Sequence, residues 1–162
     1  AAIKNASMFK LLEANDLAFF QKKKAALKAL VKQNALLKTN VVKKDPFEKG
    51  DRKLLNFGHT LGHAIENDNK LSHGEAVAIG MVYAAHLSQE VTGFKDALRL
   101  INTIEQYGLP THAQVDMQRA LQNILMDKKR VREVVHFVLL EKIGKGVVEP
   151  IAIKKLEQFF SK

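Results

Sequence analysis

Residues 48–66 read Glu48-Lys49-Gly50-Asp51-Arg52-Lys53-Leu54-Leu55-Asn56-Phe57-Gly58-His59-Thr60-Leu61-Gly62-His63-Ala64-Ile65-Glu66. Helical signals run from Arg52 to about Asn67, and within them Arg52, Asn56, His59 and His63 are spaced four, three and four apart. On an α-helix that spacing sets all four along one face. A cation, an amide and two imidazoles make a poor face for a hydrophobic core. Gly58 and Gly62 each stand one residue before a histidine, and inside a helix a glycine costs about 1 kcal/mol relative to alanine. That cost points to a close backbone approach, by a packed helix or by a ligand. The same spacing also suits a plain solvent-exposed polar stripe, and the residues alone leave both readings open.

Two histidines four apart can share one metal ion, as in zinc peptidases. Here Thr60-Leu61-Gly62 lie between them, without the glutamate that would serve as general base, which argues against a peptidase. His73 adds a third imidazole at the start of the next helix, after a short connection that can return the chain antiparallel towards His59 or His63. Catalytic zinc commonly takes three protein ligands and leaves one position open. Spacing does not choose which of the three would bind. His86, His112 and His136 lie in no such constellation and read as ordinary surface or core residues. Lys38, and Lys128-Lys129 after Asp127, are candidates to bind an anion.

Working outward, Ile3 to Ala14 reads as a helix, with Asn15-Asp16 as a stop or a new N-cap. From Asp16 to about Lys44 runs a pattern without Gly or Pro, carrying Leu17, Phe20, Leu27, Leu30, Val31, Leu37 and Val41 among many lysines. It predicts an amphipathic helix, broken at most once, with Lys22-Lys23-Lys24 on its solvated face. Asp45-Pro46-Phe47-Glu48-Lys49-Gly50-Asp51 interrupts it with turn residues. A polar loop from Asp68 to Ser72 leads into the nearly all-apolar run Ala76 to Leu87, too short for a membrane span and so a buried core helix. A helix from about Lys95 to Tyr107 stops at Gly108-Leu109-Pro110. Val115 to Leu125 is helical, Val134 to Leu140 is β-prone with a Gly-rich turn at Ile143 to Gly146, and Ile153 to Phe160 closes as a helix. The fold class is mainly α: a multi-helix single domain over residues 1–162, with a small β-hairpin near the C-terminus.

The 162 residues suit one domain of ordinary size, and 46% apolar with 27% charged residues are globular values. The absence of cysteine excludes disulfides, Cys-ligated zinc and thiol nucleophiles. The formal charge of +9 points to nucleic acid or to a small anionic substrate. Without Trp, an aromatic stacking platform or a helix-turn-helix pattern, a nucleic-acid module is disfavoured. The absence of cysteine also fits a reducing cytoplasm, and with no signal segment or membrane run evident no membrane partner is expected. The opening Ala-Ala-Ile-Lys lacks an initiator Met, and the chain is expected to be part of something longer.

A set of words in order carries a family resemblance. They are Lys38-Thr39-Asn40-Val41-Val42, then Asp45 to Arg52, then Leu55-Asn56-Phe57-Gly58-His59-Thr60-Leu61-Gly62-His63-Ala64-Ile65-Glu66, then His73-Gly74-Glu75-Ala76-Val77-Ala78-Ile79-Gly80-Met81. Gly108-Leu109-Pro110, Met126-Asp127-Lys128-Lys129 and Leu140 with Ile143-Gly144 follow in place. Together they closely resemble the 3-dehydroquinate synthase family, over essentially the whole chain but only over the helical C-terminal half of such an enzyme. The family's N-terminal α/β domain, which carries NAD, has no counterpart here.

The resemblance implies an enzyme, a phosphate-eliminating cyclising lyase of the shikimate pathway of aromatic amino acid biosynthesis. It converts 3-deoxy-D-arabino-heptulosonate 7-phosphate to 3-dehydroquinate and phosphate, with NAD consumed and regenerated. A divalent metal, Zn or Co, supplies a Lewis acid for the hydroxyl that is oxidised. By the same resemblance His59 and His73 are metal ligands, and His63 is a catalytic histidine near the phosphate rather than a ligand. Glu48 is an acid/base carboxylate. Lys4, Lys38, Arg52, Asn56 and Lys128 or Lys129 bind the substrate, whose carboxylate and phosphate call for clustered cations. The isolated chain is expected to be inactive, and a homodimer is the family's common state.

Two positions depart from the pattern. Ala1 stands where the family has a third ligand, a glutamate, and Asp51 stands where an apolar residue is expected. Two alternatives accompany the leading reading. One is a related sugar-phosphate cyclase, such as a 2-deoxy-scyllo-inosose synthase. The other is a non-catalytic helical interaction domain derived from the enzyme.

Overall fold

A computed structural model describes residues 1–66, 71–127 and 133–161. Helix α1 (Ala6–Glu13) starts where the Asn5 side chain accepts the Met8 N–H at 2.9 Å. Helix α2 (Leu17–Lys22) starts where Asp16 accepts the Phe19 N–H at 2.7 Å, the N-cap expected of it. The backbone leaves helical geometry at Lys23 and resumes as α3 (Lys24–Lys44), so the long lysine-rich pattern is broken once. A 3-10 helix spans Asp51–Asn56, followed by α4 (His59–Glu66), α5 (His73–Thr92), α6 (Ala97–Gln106) and α7 (Met117–Asp127). Strands β1 (Val134–Lys142) and β2 (Lys145–Ala152) form an antiparallel hairpin, and α8 (Ile153–Phe160) follows directly.

The single helix expected across Arg52 to Asn67 does not form. The Asp45 carboxylate accepts the N–H groups of Lys49, Gly50 and Arg52 at 2.9, 2.7 and 3.1 Å, which ties the loop into a tight turn. The chain then runs as a 3-10 helix and breaks at Gly58, whose φ of +82° lies outside any right-handed helix. Arg52 and Asn56 therefore do not share one α-helical face with His59 and His63.

The glycines do mark a close approach, and the approaching body is a helix. A Cβ on Gly58 would lie 2.6 Å from the Val77 carbonyl oxygen, and one on Gly62 would lie 3.1 Å from Val77 Cα. On the other side, a Cβ on Gly80 would lie 2.0 Å from the Gly58 oxygen. Helices α4 and α5 thus meet backbone to backbone.

Helix α5 has core on both sides, which explains its apolar run. Ala78, Val82, Ala84 and Ala85 join a cluster with Phe9, Leu54, Phe57 and Phe94. Ala76, Ile79 and Leu87 join another with Leu61, Ile65, Leu139 and Leu156. Strand β1 is shared in the same way: Val138 and Leu140 point to the first cluster, Val135, Phe137 and Leu139 to the second, as the two-residue period of a strand requires. Ser72 and Glu75 make a reciprocal capping box at the start of α5, and Gly93 ends it in the left-handed region.

The N-terminal residues lie against the hairpin turn. The Gly144 N–H donates to the Ala2 carbonyl at 2.6 Å and the Gly146 N–H to the Ile3 carbonyl at 2.8 Å. Helix α3 is the outlier: Val41 is buried, while Leu27, Val31 and Leu36 are exposed. Its amphipathic pattern is present, but its apolar face is not covered by the described residues. Among those residues no helix is long and apolar enough to cross a membrane.

Candidate active site

Three imidazoles converge where α4 meets α5. Ring centroids of His59 and His63 lie 5.4 Å apart, those of His59 and His73 5.5 Å, and those of His63 and His73 5.6 Å. One ligand-capable nitrogen of each lies within 4.8 Å of the others. His59 and His63 are one turn apart on α4, and His73 is the first residue of α5. The antiparallel return anticipated for His73 is what brings it to the other two.

The three rings are not held alike. His59 Nδ1 lies 3.2 Å from the Phe57 carbonyl oxygen, and His73 Nδ1 lies 3.1 Å from Glu66 Oε2. A carbonyl and a carboxylate oxygen only accept, so each Nδ1 carries a proton, and in the neutral ring Nε2 is then the nitrogen with the lone pair. For His63 no hydrogen bond to a ring nitrogen is found among the described residues. Burial lowers the His59 pKa below its ordinary value; the Phe57 hydrogen bond acts the other way, His63 and His73 lower it further, and Glu66 raises it. The net effect favours the neutral ring that a metal ion needs. Three imidazoles, two of them with a fixed tautomer, are a donor set that suits zinc or cobalt.

A second group is built on the Asp45 turn. Glu48 adopts a left-handed backbone with φ of 55°, uncommon for a residue with a Cβ. Asn56 Nδ2 donates to Glu48 Oε1 at 2.6 Å, and Arg52 Nε lies 3.9 Å from Glu48 Oε2. Arg52 also donates from Nη1 to the Pro46 carbonyl at 2.7 Å. One carboxylate therefore has an amide at one oxygen and a guanidinium near the other. Hydrogen bonds within the turn hold Asp45 well below the usual carboxylate range, that from the Gly50 N–H foremost. Next to this group Lys4 Nζ pairs with Asp51 Oδ2 at 2.6 Å. Asp51, the residue expected to be apolar, thus holds a candidate substrate lysine.

The structure thus gathers His59, His63 and His73 into one cluster and joins Glu48, Arg52 and Asn56 to one another, with Lys4 paired to Asp51, the neighbour of Arg52 in the chain. Lys38 lies exposed on α3, and among the described residues it makes no hydrogen bond or ion pair with either group. Lys128 and Lys129 lie outside the described residues. His86, His112 and His136 are exposed and apart from the cluster, as expected. Two contributors were not anticipated: Asp45, which organises the turn, and Glu66, which holds His73. Asp45 opening a Pro-containing turn was the signal for the first. Glu66 stands seven and three residues after His59 and His63, on the same side of α4, which was the signal for the second.

Residues 1–130 match the family described as 3-dehydroquinate synthase C-terminal. The chain belongs to that family. It is 37% identical over 159 residues to the 3-dehydroquinate synthase of Dehalococcoides mccartyi (strain CBDB1), covering 95% of this chain and 44% of that protein. It is 38% identical over 162 residues to the 3-dehydroquinate synthase of Xanthomonas campestris pv. campestris (strain 8004), covering 92% and 44%. The chain spans under half the length of the curated relatives it matches. Among solved structures it resembles the 2-epi-5-epi-valiolone synthase of Streptomyces hygroscopicus subsp. jinggangensis 5008, determined with NAD+ and Zn2+ bound. That match has a TM-score of 0.79 and 23% identity over 99% of this chain and 47% of that one. It also resembles a 2-deoxy-scyllo-inosose synthase complexed with carbaglucose-6-phosphate, NAD+ and Co2+, with a TM-score of 0.72 and 23% identity over 84% of this chain and 41% of that one. At these identities the two structures show the fold of the chain and nothing about its substrate.

Proposed function

We propose that residues 1–162 are the metal- and substrate-binding domain of a 3-dehydroquinate synthase. The whole protein then converts 3-deoxy-D-arabino-heptulosonate 7-phosphate to 3-dehydroquinate and phosphate. NAD is held mainly by a further α/β domain of the longer protein, which works in the cytoplasm as a homodimer. The observation that carries this is the convergence of His59, His63 and His73, in a chain whose relatives of that name match it along nearly its full length.

His59 and His73, each with its proton held on Nδ1, offer Nε2 to a divalent ion. A divalent ion bound there supplies Lewis-acid polarisation of a substrate oxygen. His63, in van der Waals reach of both and without a fixed partner among the described residues, is the ring left to take and return a proton next to the phosphate. Glu48 serves as the acid/base carboxylate. Its left-handed backbone and its Asn56 and Arg52 partners keep it in one orientation. Arg52, Asn56, Lys4, Lys38 and one of Lys128 and Lys129 bind the carboxylate and phosphate of the substrate. Lys4 must exchange Asp51 for the substrate anion, so Asp51 acts as a placeholder that keeps the lysine in position.

Phosphate release from the heptulosonate phosphate, with NAD and Zn2+ or Co2+, tests the reading. The chain is assayed alone, and also joined to the NAD-binding half of a relative such as the Dehalococcoides enzyme. Turnover is expected only from the joined protein, and its loss is expected on His59→Ala or His73→Ala. Appreciable product from the chain alone would sink the proposal of an incomplete enzyme. Turnover of a hexose 6-phosphate in place of the heptulosonate would assign the chain to the related cyclases instead.

A further inference from the structure

The cluster has an acidic member that the reading above does not use. Glu66 ends α4, and its Oε2 lies 3.1 Å from Nδ1 of His73 at the start of α5. The two candidate ligands differ in what restrains them. His59 is half-buried, and its Nδ1 is held by a main-chain carbonyl two residues away, which no side-chain substitution removes. The His73 side chain is 56% exposed, so packing alone does not select its rotamer, while that of Glu66 is 31% exposed. The hydrogen bond from Nδ1 to Glu66 therefore has to set the ring's orientation and its tautomer together. Across metal sites, a carboxylate that accepts the second N–H of a ligating histidine does both, and its loss typically costs 10–100-fold in metal affinity.

We infer that Glu66 is a positioning residue for His73: it fixes the proton on Nδ1 and so presents Nε2 to a divalent cation. This rests on the reading of His59 and His73 as the metal-binding pair. It also makes the His73 arm the adjustable side of the site, since its restraint is a side chain, whereas that of His59 is backbone.

Titration of the metal-free full chain with Co2+, followed by the visible absorption of the bound ion, separates the possibilities. Glu66→Ala is expected to weaken Co2+ binding about 10–100-fold. Glu66→Gln, whose amide oxygen still accepts from Nδ1–H, is expected to weaken it less. Thermal unfolding of both metal-free variants should stay close to the parent, because both side chains of the Glu66–His73 pair are partly exposed and such pairs add little to stability. An unchanged Co2+ affinity in Glu66→Ala would overturn the inference. So would a Glu66→Gln variant as impaired as His73→Ala, since that pattern marks Glu66 as a ligand. If His73→Ala itself binds Co2+ like the parent, the metal-site reading fails, and this inference with it.

Discussion

Helices α3 and α5 are nearly equal in length, 21 and 20 residues, and opposite in how they are held. Ten residues of α5 are buried, against Val41 alone on α3. Both sequences carry apolar residues at helical spacing, yet Val31 on α3 is 59% exposed and Leu36 52%. Apolar periodicity makes a helix amphipathic, but only a complementary neighbour embeds it. The contrast bears on the site. His73 rides on the embedded helix and meets His59 and His63 in a geometry that this chain builds by itself. Lys38 rides on the other helix, and nothing among the described residues ties it to the Glu48 group or to the histidines.

The comparison is most easily broken at the contact between α4 and α5. Gly80→Ala puts a Cβ 2.0 Å from the Gly58 oxygen, against backbone that cannot rotate away. It should destabilise the protein by about 3 kcal/mol or more, at the upper end for overpacking. Urea unfolding measures this, and a stability within about 0.5 kcal/mol of the parent would show that the backbone contact is not what embeds α5.

A smaller loss is expected from Ser88→Ala. The Ser88 hydroxyl, fully buried, donates to the Ala84 carbonyl at 2.5 Å and accepts the Leu140 N–H at 2.9 Å. Removing it leaves that N–H buried without its acceptor, worth about 1–3 kcal/mol, so the melting temperature should fall clearly. An unchanged melting temperature would mean that the Ser88 hydroxyl does not help fasten α5 to β1.

The least effect is expected on α3. Val31→Lys adds a charge to a surface that is already exposed and should change stability by no more than about 0.5 kcal/mol. A loss of 2 kcal/mol or so on the same unfolding assay would show that this face is covered and would remove the contrast with α5.

Much of the fold was legible because its signals are local. Asp16 as an N-cap, Gly108-Leu109-Pro110 as a stop, the hairpin around Ile143-Gly144 and the closing helix from Ile153 all follow from residue preferences acting over a few positions. The failure at Arg52 to His63 has the same root. Spacing of four, three and four is a helical signal, but a turn in which three N–H groups donate to Asp45 and the left-handed Gly58 compete with it, and neither registers in periodicity. The histidines were legible as candidates by residue type. The tautomers of His59 and His73 were not, because they depend on which acceptor ends up beside each Nδ1.

By itself the sequence determined a mainly helical domain with one hairpin, membership in the 3-dehydroquinate synthase C-terminal family, and a short list of histidines, cations and carboxylates. Tertiary structure alone decided that His59, His63 and His73 share one place, that Glu66 reaches back to His73, and that Asp51 holds Lys4. The physical reason is range. Caps, turns and periodicity act within a segment, whereas these pairings cross between segments. They exist because Gly58, Gly62 and Gly80 let two helices touch along their backbones, and because the N-terminal residues are hydrogen-bonded to a hairpin turn some 140 positions away in the chain.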